Sequence, residues 1–403
     1  MIRIGDYKHI VGESIIDELH LLSDKMKGRK MLNINSTAIG GGVAELLNHI
    51  VPLLADIGVN VEWEVIKGGI AFFEVTKKFH NLLHGRPEEI SDADFEIFLE
   101  TNRKNAEEME LKGDVIIVHD PQPVALIKKR KSNKWIWRCH IDLSNPETKV
   151  WEFLKKYIIK YDAAVFSSPS FAQNLPIRQF MITPSIDPLS DKNRDLTPEQ
   201  IDSVIKKYGI NKDKPILTQI SRFDRLKDPL GVIQAYKLVK RYIDCQLILA
   251  GGTAADDPEG MMVLEDVKDR ASNDKDIHVI LLPHNDIEVN ALQRASTIIL
   301  QKSLKEGFGL TVTEALWKGK PVVASHVGGI ALQVKHKYSG MLCYSPEGAA
   351  FAIKQILNSP EYARKLGENG KEHVKNNFLI TRHIRDYLLL CLGIYNKEGI
   401  VHL

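Results

Sequence analysis

Long apolar runs are missing from this 403-residue chain. Segments such as Val115–Val118 stop after four residues, and nothing approaches the roughly 20 that a membrane span needs. The opening MIRIGDYKHIVGES lacks the apolar core of a secretory signal. Cysteine is scarce: Cys139, Cys245, Cys343 and Cys391 are scattered without a C-x-x-C pair, which excludes a zinc-finger or disulfide framework. Charge of one sign is missing too. Lys plus Arg number 54 against 52 Asp plus Glu, a net +2, so there is no electrostatic case for nucleic acid or a membrane surface as partner. No low-complexity tract and no repeat of 20–50 residues occurs. The expectation from these absences is a soluble, reduced, cytoplasmic protein that acts on small molecules, with a homo-oligomer left open.

What is present is a short apolar strand, a polar or glycine turn, and an amphipathic segment, repeated along the chain. Lys30–Asn35 runs into Ser36-Thr-Ala-Ile-Gly-Gly-Gly. Val43, Leu46, Leu47, Ile50, Val51, Leu54 and Ile57 then recur at helical spacing, and Gly58 ends the pattern. Pro52 inside it removes a hydrogen bond or kinks the helix. Further strands are predicted after Asp114, Lys134 and Asp162, and a second set after Pro215, Cys245, His278, Ser296 and Pro321. Apolar strands alternating with helices imply parallel sheets covered on both faces, an α/β architecture of two doubly wound domains. The stretch 181–199 carries Pro184, Pro188 and Pro198 among Ser, Asp and Asn without an apolar period, and reads as the linker. The expected division is 1–185, 186–375 and a helical segment 376–403 crossing back onto the first domain. Two such domains would leave a cleft at the C-terminal ends of their strands, where open α/β sheets bind ligands.

Five turns after strands carry candidate chemistry. Gly40, Gly41 and Gly42 precede a helix, where bare amides attract an anion, or they form an ordinary tight turn. In Ser221-Arg-Phe-Asp-Arg-Leu-Lys-Asp-Pro229, Pro229 suits the first helical position and Asp228 the N-cap, so Arg222, Arg225 and Lys227 surround a positive helix end. A diphosphate would offset that repulsion; the alternative is a solvated loop paired through Asp224 and Asp228. Glu306 and Glu314 flank Gly307, Phe308, Gly309, Leu310 and Thr311. Thr311-x-x-Glu314 has the form of a capping box, which leaves Glu306 and the glycines unexplained. Val327-Gly328-Gly329 follows the strand after Pro321. Finally, His119-Asp120 and Arg138-Cys-His140-Ile-Asp142 place a His and an Asp beyond two strands of the first half, as ligand groups or as satisfied structural histidines.

The segment Glu306–Glu314 with seven residues between its glutamates, the upstream Arg222 and Lys227, and Val327-Gly-Gly resemble the retaining glycosyltransferases of the GT-B fold. Asn35-Ser-Thr-Ala-Ile-Gly-Gly-Gly-Val-Ala-Glu, His119-Asp-Pro-Gln-Pro, Trp137-Arg-Cys-His-Ile-Asp-Leu-Ser, Ser185-Ile-Asp-Pro-Leu-Ser and Glu306 through Pro321 are similar to the glycosyl-transferring trehalose synthases, which join a nucleoside-diphosphate glucose to glucose. The resemblance covers both halves. It implies that Arg222 and Lys227 bind the donor diphosphate, that Glu314 holds the ribose, and that Glu306 and His140 lie at the reacting sugar. Gly307–Thr311, Gly328 and Gly329 would line the donor, while Gly40–Gly42, Asp120 and Asp142 would shape the acceptor side. Two segments differ from the family pattern: Arg225-Leu226 stands where a Pro-Trp-like pair is expected, and Ala324-Ser325-His326 precedes Val327-Gly-Gly where Gly-Arg-Ala is expected.

The implied reaction is reversible, metal-independent transfer with retention, forming trehalose and needing no cofactor. A leaving diphosphate wants cations and amides, which these turns supply, and no D-x-D-like carboxylate pair in these turns suggests a metal. The alternatives are a retaining trehalose phosphorylase, a transferase with another acceptor, a glycoside hydrolase using Glu306 and Glu314, and a non-catalytic sugar-nucleotide sensor. The hydrolase needs its carboxyl groups about 5 Å apart across the scissile bond.

Overall fold

The computed structural model describes residues 2–39, 42–252, 258–283 and 285–395. The chain forms two compact units, one of Met1–Ser185 with Ile380–Leu403 and one of Ile186–Leu379. The expected terminal segment therefore starts at Ile380 rather than at 376. The reason is local: the Ile186 amide donates to the Phe378 carbonyl at 2.9 Å, and Ile186 bridges Leu379, which holds residues up to 379 in the second unit.

The first unit is built on strands β1 (Lys30–Asn35), β2 (Asn60–Val65), β3 (Val115–His119), β4 (Lys134–Arg138), β5 (Ala163–Phe166) and β6 (Arg178–Met181). They lie in the order β2-β1-β3-β4-β5-β6, and every pair is parallel. The second unit holds β7 (Ile216–Ile220), β8 (Gln246–Gly251), β9 (Ile277–Leu281), β10 (Ile298–Gln301), β11 (Val322–Ser325) and β12 (Met341–Cys343). Their order is β12-β11-β10-β7-β8-β9, again all parallel. In each sheet the chain winds one way from its first strand and then returns to the other side. The loops after β1 and β3, and after β7 and β10, thus leave in opposite directions and open a crevice at the strand C-termini.

Burial on both faces explains the apolar strands. In the second unit Leu217, Leu247 and Leu249 join one core, while Ile216, Ile248 and Ile220 join the other, the two-residue alternation of a strand. The first unit packs Trp135, Trp137, Phe72, Phe79 and Phe98 together. The helix Gly42–Asp56 follows β1 and carries Pro52 in its interior, and Gly58 leaves the following turn at φ +86°. The stretch 181–199 is pinned rather than loose. Asn290 donates to the carbonyls of Asp191 and Arg194, both at 2.8 Å, and Arg294 donates to those of Asn193 and Arg194. No helix among the described residues is long and apolar enough to cross a membrane.

Candidate active site

In the second unit the crevice lies between β7 and β10. Asp228 caps the helix Pro229–Lys240 through the Gly231 amide at 3.0 Å, in a left-handed conformation, with Pro229 at the first helical position. Its other carboxylate oxygen pairs with Lys302 from the loop after β10. One residue earlier, Lys227 reaches across to the same loop and meets both carboxylate oxygens of Glu306, at 2.7 and 2.6 Å. The Leu304 amide donates to the Leu226 carbonyl at 2.7 Å, so the two loops are joined by backbone as well. Glu306 is buried. Ser303 Oγ donates to its Oε2 at 3.1 Å and Gln301 Nε2 approaches at 3.4 Å, while Gln219 Nε2 holds the Lys227 carbonyl at 2.8 Å. A buried charge pair is retained only when its remaining lone pairs are met in this way.

Arg222 is not part of this cluster. Its side chain is 56% exposed, and among the described residues it pairs with Asp224 at 3.7 Å. Arg225 is also exposed. The expected ring of three cations around one helix end therefore resolves into one cation committed to Glu306 and two that are exposed. The cause is Asp224, which caps the short turn Arg225–Lys227 through the Leu226 amide at 2.7 Å and aims Lys227 alone inward.

Gly309, at φ +82°, starts the helix Leu310–Trp317, and no side chain caps it. The capping box of Thr311 with Glu314 does not form, because Thr311 already lies inside the helix. Glu314 is instead buried on its second turn, with Oε2 accepting from Gln293 Nε2 at 3.0 Å. The first amides of an uncapped helix remain available to an anion. Gly328 and Gly329 press against the same loop: the Gly329 amide donates to the Gly307 carbonyl at 3.0 Å. A Cβ on Gly328, which sits at φ +49°, would fall 1.7 Å from the Glu306 carbonyl oxygen. Gln333 Nε2 holds the Phe308 carbonyl and Phe308 is buried, so the structure brings Glu306, Gly307, Phe308, Gly309, Gly328 and Gly329 into one packed turn.

The first unit has its crevice between β1 and β3. His119 ends β3 and is buried. Its Nε2 contacts Asn33 Oδ1 at 3.1 Å and its Nδ1 contacts His140 Nε2 at 3.1 Å. Since Asn33 Oδ1 can only accept, the network assigns the proton of His119 to Nε2 and that of His140 to Nε2, leaving His140 Nδ1 as an acceptor. Burial, reinforced by the Arg138 cation, brings the His119 imidazole down to about 3. Burial, Arg138, His119 and His383 hold His140 well below its ordinary value. Both rings are neutral near pH 7. Asp120 sits at φ +64°, and its Oδ1 accepts the His140 amide at 2.7 Å. Burial pushes its carboxyl up to about 6, against the pull of that amide and of Arg138. Asp142 is buried and caps its own turn, accepting the Ser144 amide at 2.8 Å. Gly42 opens the helix after β1, whereas Gly40 and Gly41 lie outside the described residues.

Gln301, Ser303, Lys302, Gln293, Asn33 and Arg138 were not singled out as site residues from sequence. A signal for several of them was there: Asn33, His119, Arg138 and Gln301 are polar side chains at or near the C-terminal end of otherwise apolar strands. Among the described residues no group of three or more His, Cys, Asp or Glu side chains is placed to hold a metal ion.

Comparison with known proteins fits this geometry. The trehalose synthase N-terminal domain matches residues 33–173, and the glycosyl transferases group 1 domain matches residues 200–373. Trehalose synthase of Pyrococcus horikoshii is 43% identical over 394 residues, 96% of this chain and 95% of that protein. Trehalose phosphorylase of Pleurotus pulmonarius is 27% identical over 456 residues, 98% of this chain and 62% of that protein. The solved sucrose-phosphate synthase of Thermosynechococcus elongatus superposes with a TM-score of 0.71 at 17% identity, covering 91% of this chain and 99% of that one, a likeness of fold. Two parallel doubly wound sheets with phosphate-suited turns at the second switch point define a glycosyltransferase of the GT-B fold. The chain belongs to the trehalose synthase family of these enzymes.

Proposed function

We propose that this enzyme transfers glucose from a nucleoside-diphosphate glucose to free glucose, reversibly and with retention, to give α,α-trehalose. The observation that carries the reading is the half-buried Lys227 paired with the buried Glu306 at the β7/β10 switch point, beside the uncapped start of the helix Leu310–Trp317. A cation and bare amides are what a departing diphosphate needs. Lys227, with Arg222 drawn in from solvent, takes up its charge, and the amides from Gly309 to Thr311 line its oxygens. Glu314 accepts from the ribose hydroxyls. Glu306 holds hydroxyls of the glucosyl unit, with Gly328 and Gly329 leaving room beside it.

The first unit serves the acceptor with oriented hydrogen-bonding groups. His140 offers Nδ1 to a sugar hydroxyl, and Asp120, Asp142 and the turn Gly40–Gly42 shape the acceptor pocket. In the transfer step the bond from the anomeric carbon to the diphosphate oxygen breaks. The bond to the acceptor oxygen forms on the same face, and the acceptor proton passes to the leaving phosphate. Because Lys227 and the helix amides already supply positive charge, the reading needs no metal and no cofactor.

The test is to incubate the protein with several nucleoside-diphosphate glucoses and glucose, with and without EDTA, and to identify the disaccharide by NMR. The expected product is α,α-trehalose, formed at equal rates in both. An inverted linkage, or hydrolysis to glucose, contradicts the reading. Glucose 1-phosphate released from trehalose by inorganic phosphate alone favours the phosphorylase.

A further inference from the structure

The transfer leaves the charged residue Arg138 of the Arg138–Asp142 segment without a task. Arg138 ends β4 and is fully buried. Sealing a guanidinium away from water is costly unless a carboxylate meets it, yet among the described residues Arg138 makes no ion pair. Its Nη2 donates to the Ile182 carbonyl at 2.7 Å and to Ser167 Oγ at 3.2 Å. Its Nη1 and Nε have no partner. Asp120 faces it from the turn after β3 and Cys139 from the next residue. The helix Ile380–Gly393 contributes Tyr387, whose buried hydroxyl interacts with the Arg138 guanidinium without reaching good hydrogen-bond geometry, and His383, whose Nδ1 meets Ser185 Oγ at 2.9 Å. Arg382 on that helix is also within electrostatic reach, its own charge answered by Asp386 at 2.8 Å.

The turn that carries Asp120 hangs from the end of β4 by three bonds. The Asp120 amide donates to the Arg138 carbonyl at 2.8 Å. The Trp137 indole donates to the Asp120 carbonyl at 2.9 Å, and the His140 amide to the Asp120 carboxylate at 2.7 Å. Together they hold a non-glycine residue at φ +64°, a conformation that persists only where its surroundings over-determine it. The Arg138 side chain in turn fixes the end of β4 to Ser167, just beyond β5, and to Ile182. We propose that Arg138 is a positioning residue of the first unit: its buried, carboxylate-free guanidinium anchors the end of β4 and thereby aims the Asp120 carboxylate and the His140 imidazole. The meaning of that aim rests on the acceptor role given to these residues above.

The same cation biases protonation. It stands against a second proton on His119, His140 and His383, with burial as the larger cause, and it draws the Asp120 proton off. Histidine NMR of the wild-type protein should show His119 and His140 silent between about pH 5 and 8. In Arg138→Met the two imidazoles should titrate at higher pH than in the wild type, while burial, the larger cause, still holds them depressed. Its kcat should fall roughly a hundredfold, as for a small misplacement of a reacting group, with the donor KM unchanged. Arg138→Lys should keep the imidazoles silent but lose kcat, because one ammonium cannot span Ser167 and Ile182 as a guanidinium fork does. A folded Arg138→Met with unshifted imidazoles and wild-type kcat overturns the proposal. Should the Met variant fail to fold, wild-type kcat in Arg138→Lys overturns it instead. The imidazole titration reads out even if the wild-type protein makes no disaccharide, so failure of the proposed function is distinguishable from failure of this one.

Discussion

At the ends of β3 and β4, burial holds His119 and His140 neutral and pushes Asp120 up to about 6. At the ends of β7 and β10, charge is kept and answered: Lys227 meets Glu306 at 2.6 Å and Lys302 meets Asp228. Both rims follow from the same topology, a parallel sheet with a switch point, yet one gathers neutral imidazoles beside carboxylates that make no ion pair among the described residues, and the other gathers paired ions. The difference matches two kinds of ligand. A neutral polyol is recognised by oriented hydrogen bonds without a desolvated charge, whereas a diphosphate displaces one carboxylate from a cation already in place.

The comparison breaks first at the ionic rim. Lys227→Ala and Glu306→Gln are each expected to lower the transfer rate by on the order of 10²–10³, the scale for removing one preorganised charge stabiliser; steady-state disaccharide formation measures it. A rate within tenfold of wild type in both would move the chemistry elsewhere. Gly328→Ala comes next. Its backbone is left-handed and its Cβ would fall 1.7 Å from the Glu306 carbonyl oxygen, so the loop must shift. Strain of this kind costs about 1–3 kcal/mol, visible as a lower midpoint in urea, with loss of donor affinity alongside.

The neutral rim should show itself in acid. The folded-state values of His119, His140 and His383 are depressed below those of the unfolded chain. Their contribution to stability is present above the unfolded value near 6.5 and is lost as pH falls toward the folded ones. Asp120 runs the other way, since its folded value is raised, and it offsets one proton of the three. The net expectation is a thermal midpoint that drops as the pH falls below about 6.5, and a shallower drop in His119→Asn. A midpoint flat from pH 7 to about 4 would contradict the burial of these rings as neutral species. The smallest effect is expected from Arg222→Ala. The side chain is 56% exposed and pairs only at 3.7 Å, so stability should stay within about 0.5 kcal/mol while the donor KM rises modestly.

Nine strands were readable as apolar runs: eight are sealed on both faces, and β9 keeps the apolar pattern although it is an edge strand with Leu281 exposed. The three that were not, β2, β6 and β12, all lie at the margins of their sheets. Asn60-Val-Glu-Trp-Glu-Val65 and Arg178-Gln-Phe-Met181 are half-exposed and mix polar with apolar residues, and Met341–Cys343 is three residues long. A strand with one free side lacks the signal that burial writes into the others. In the candidate site, the glycines and charged residues of the turns stood out, and so did Asp228 with Pro229 as a helix start. The partners that hold the site were silent. Gln301 and Ser303 reach Glu306 from the same loop region, but Gln219 and Gln293 come from other elements, and only the fold brings them there. The capping-box reading of Glu314 failed because Gly309 starts the helix one residue before Leu310, which leaves Thr311 in its first turn.

The division of labour between the rims is tested most directly by calorimetric titration of a nucleoside diphosphate and, separately, of trehalose into the wild-type protein and into Lys227→Ala. The account predicts that the variant loses nucleoside-diphosphate affinity and keeps its affinity for trehalose. Undiminished diphosphate binding by the variant would contradict it.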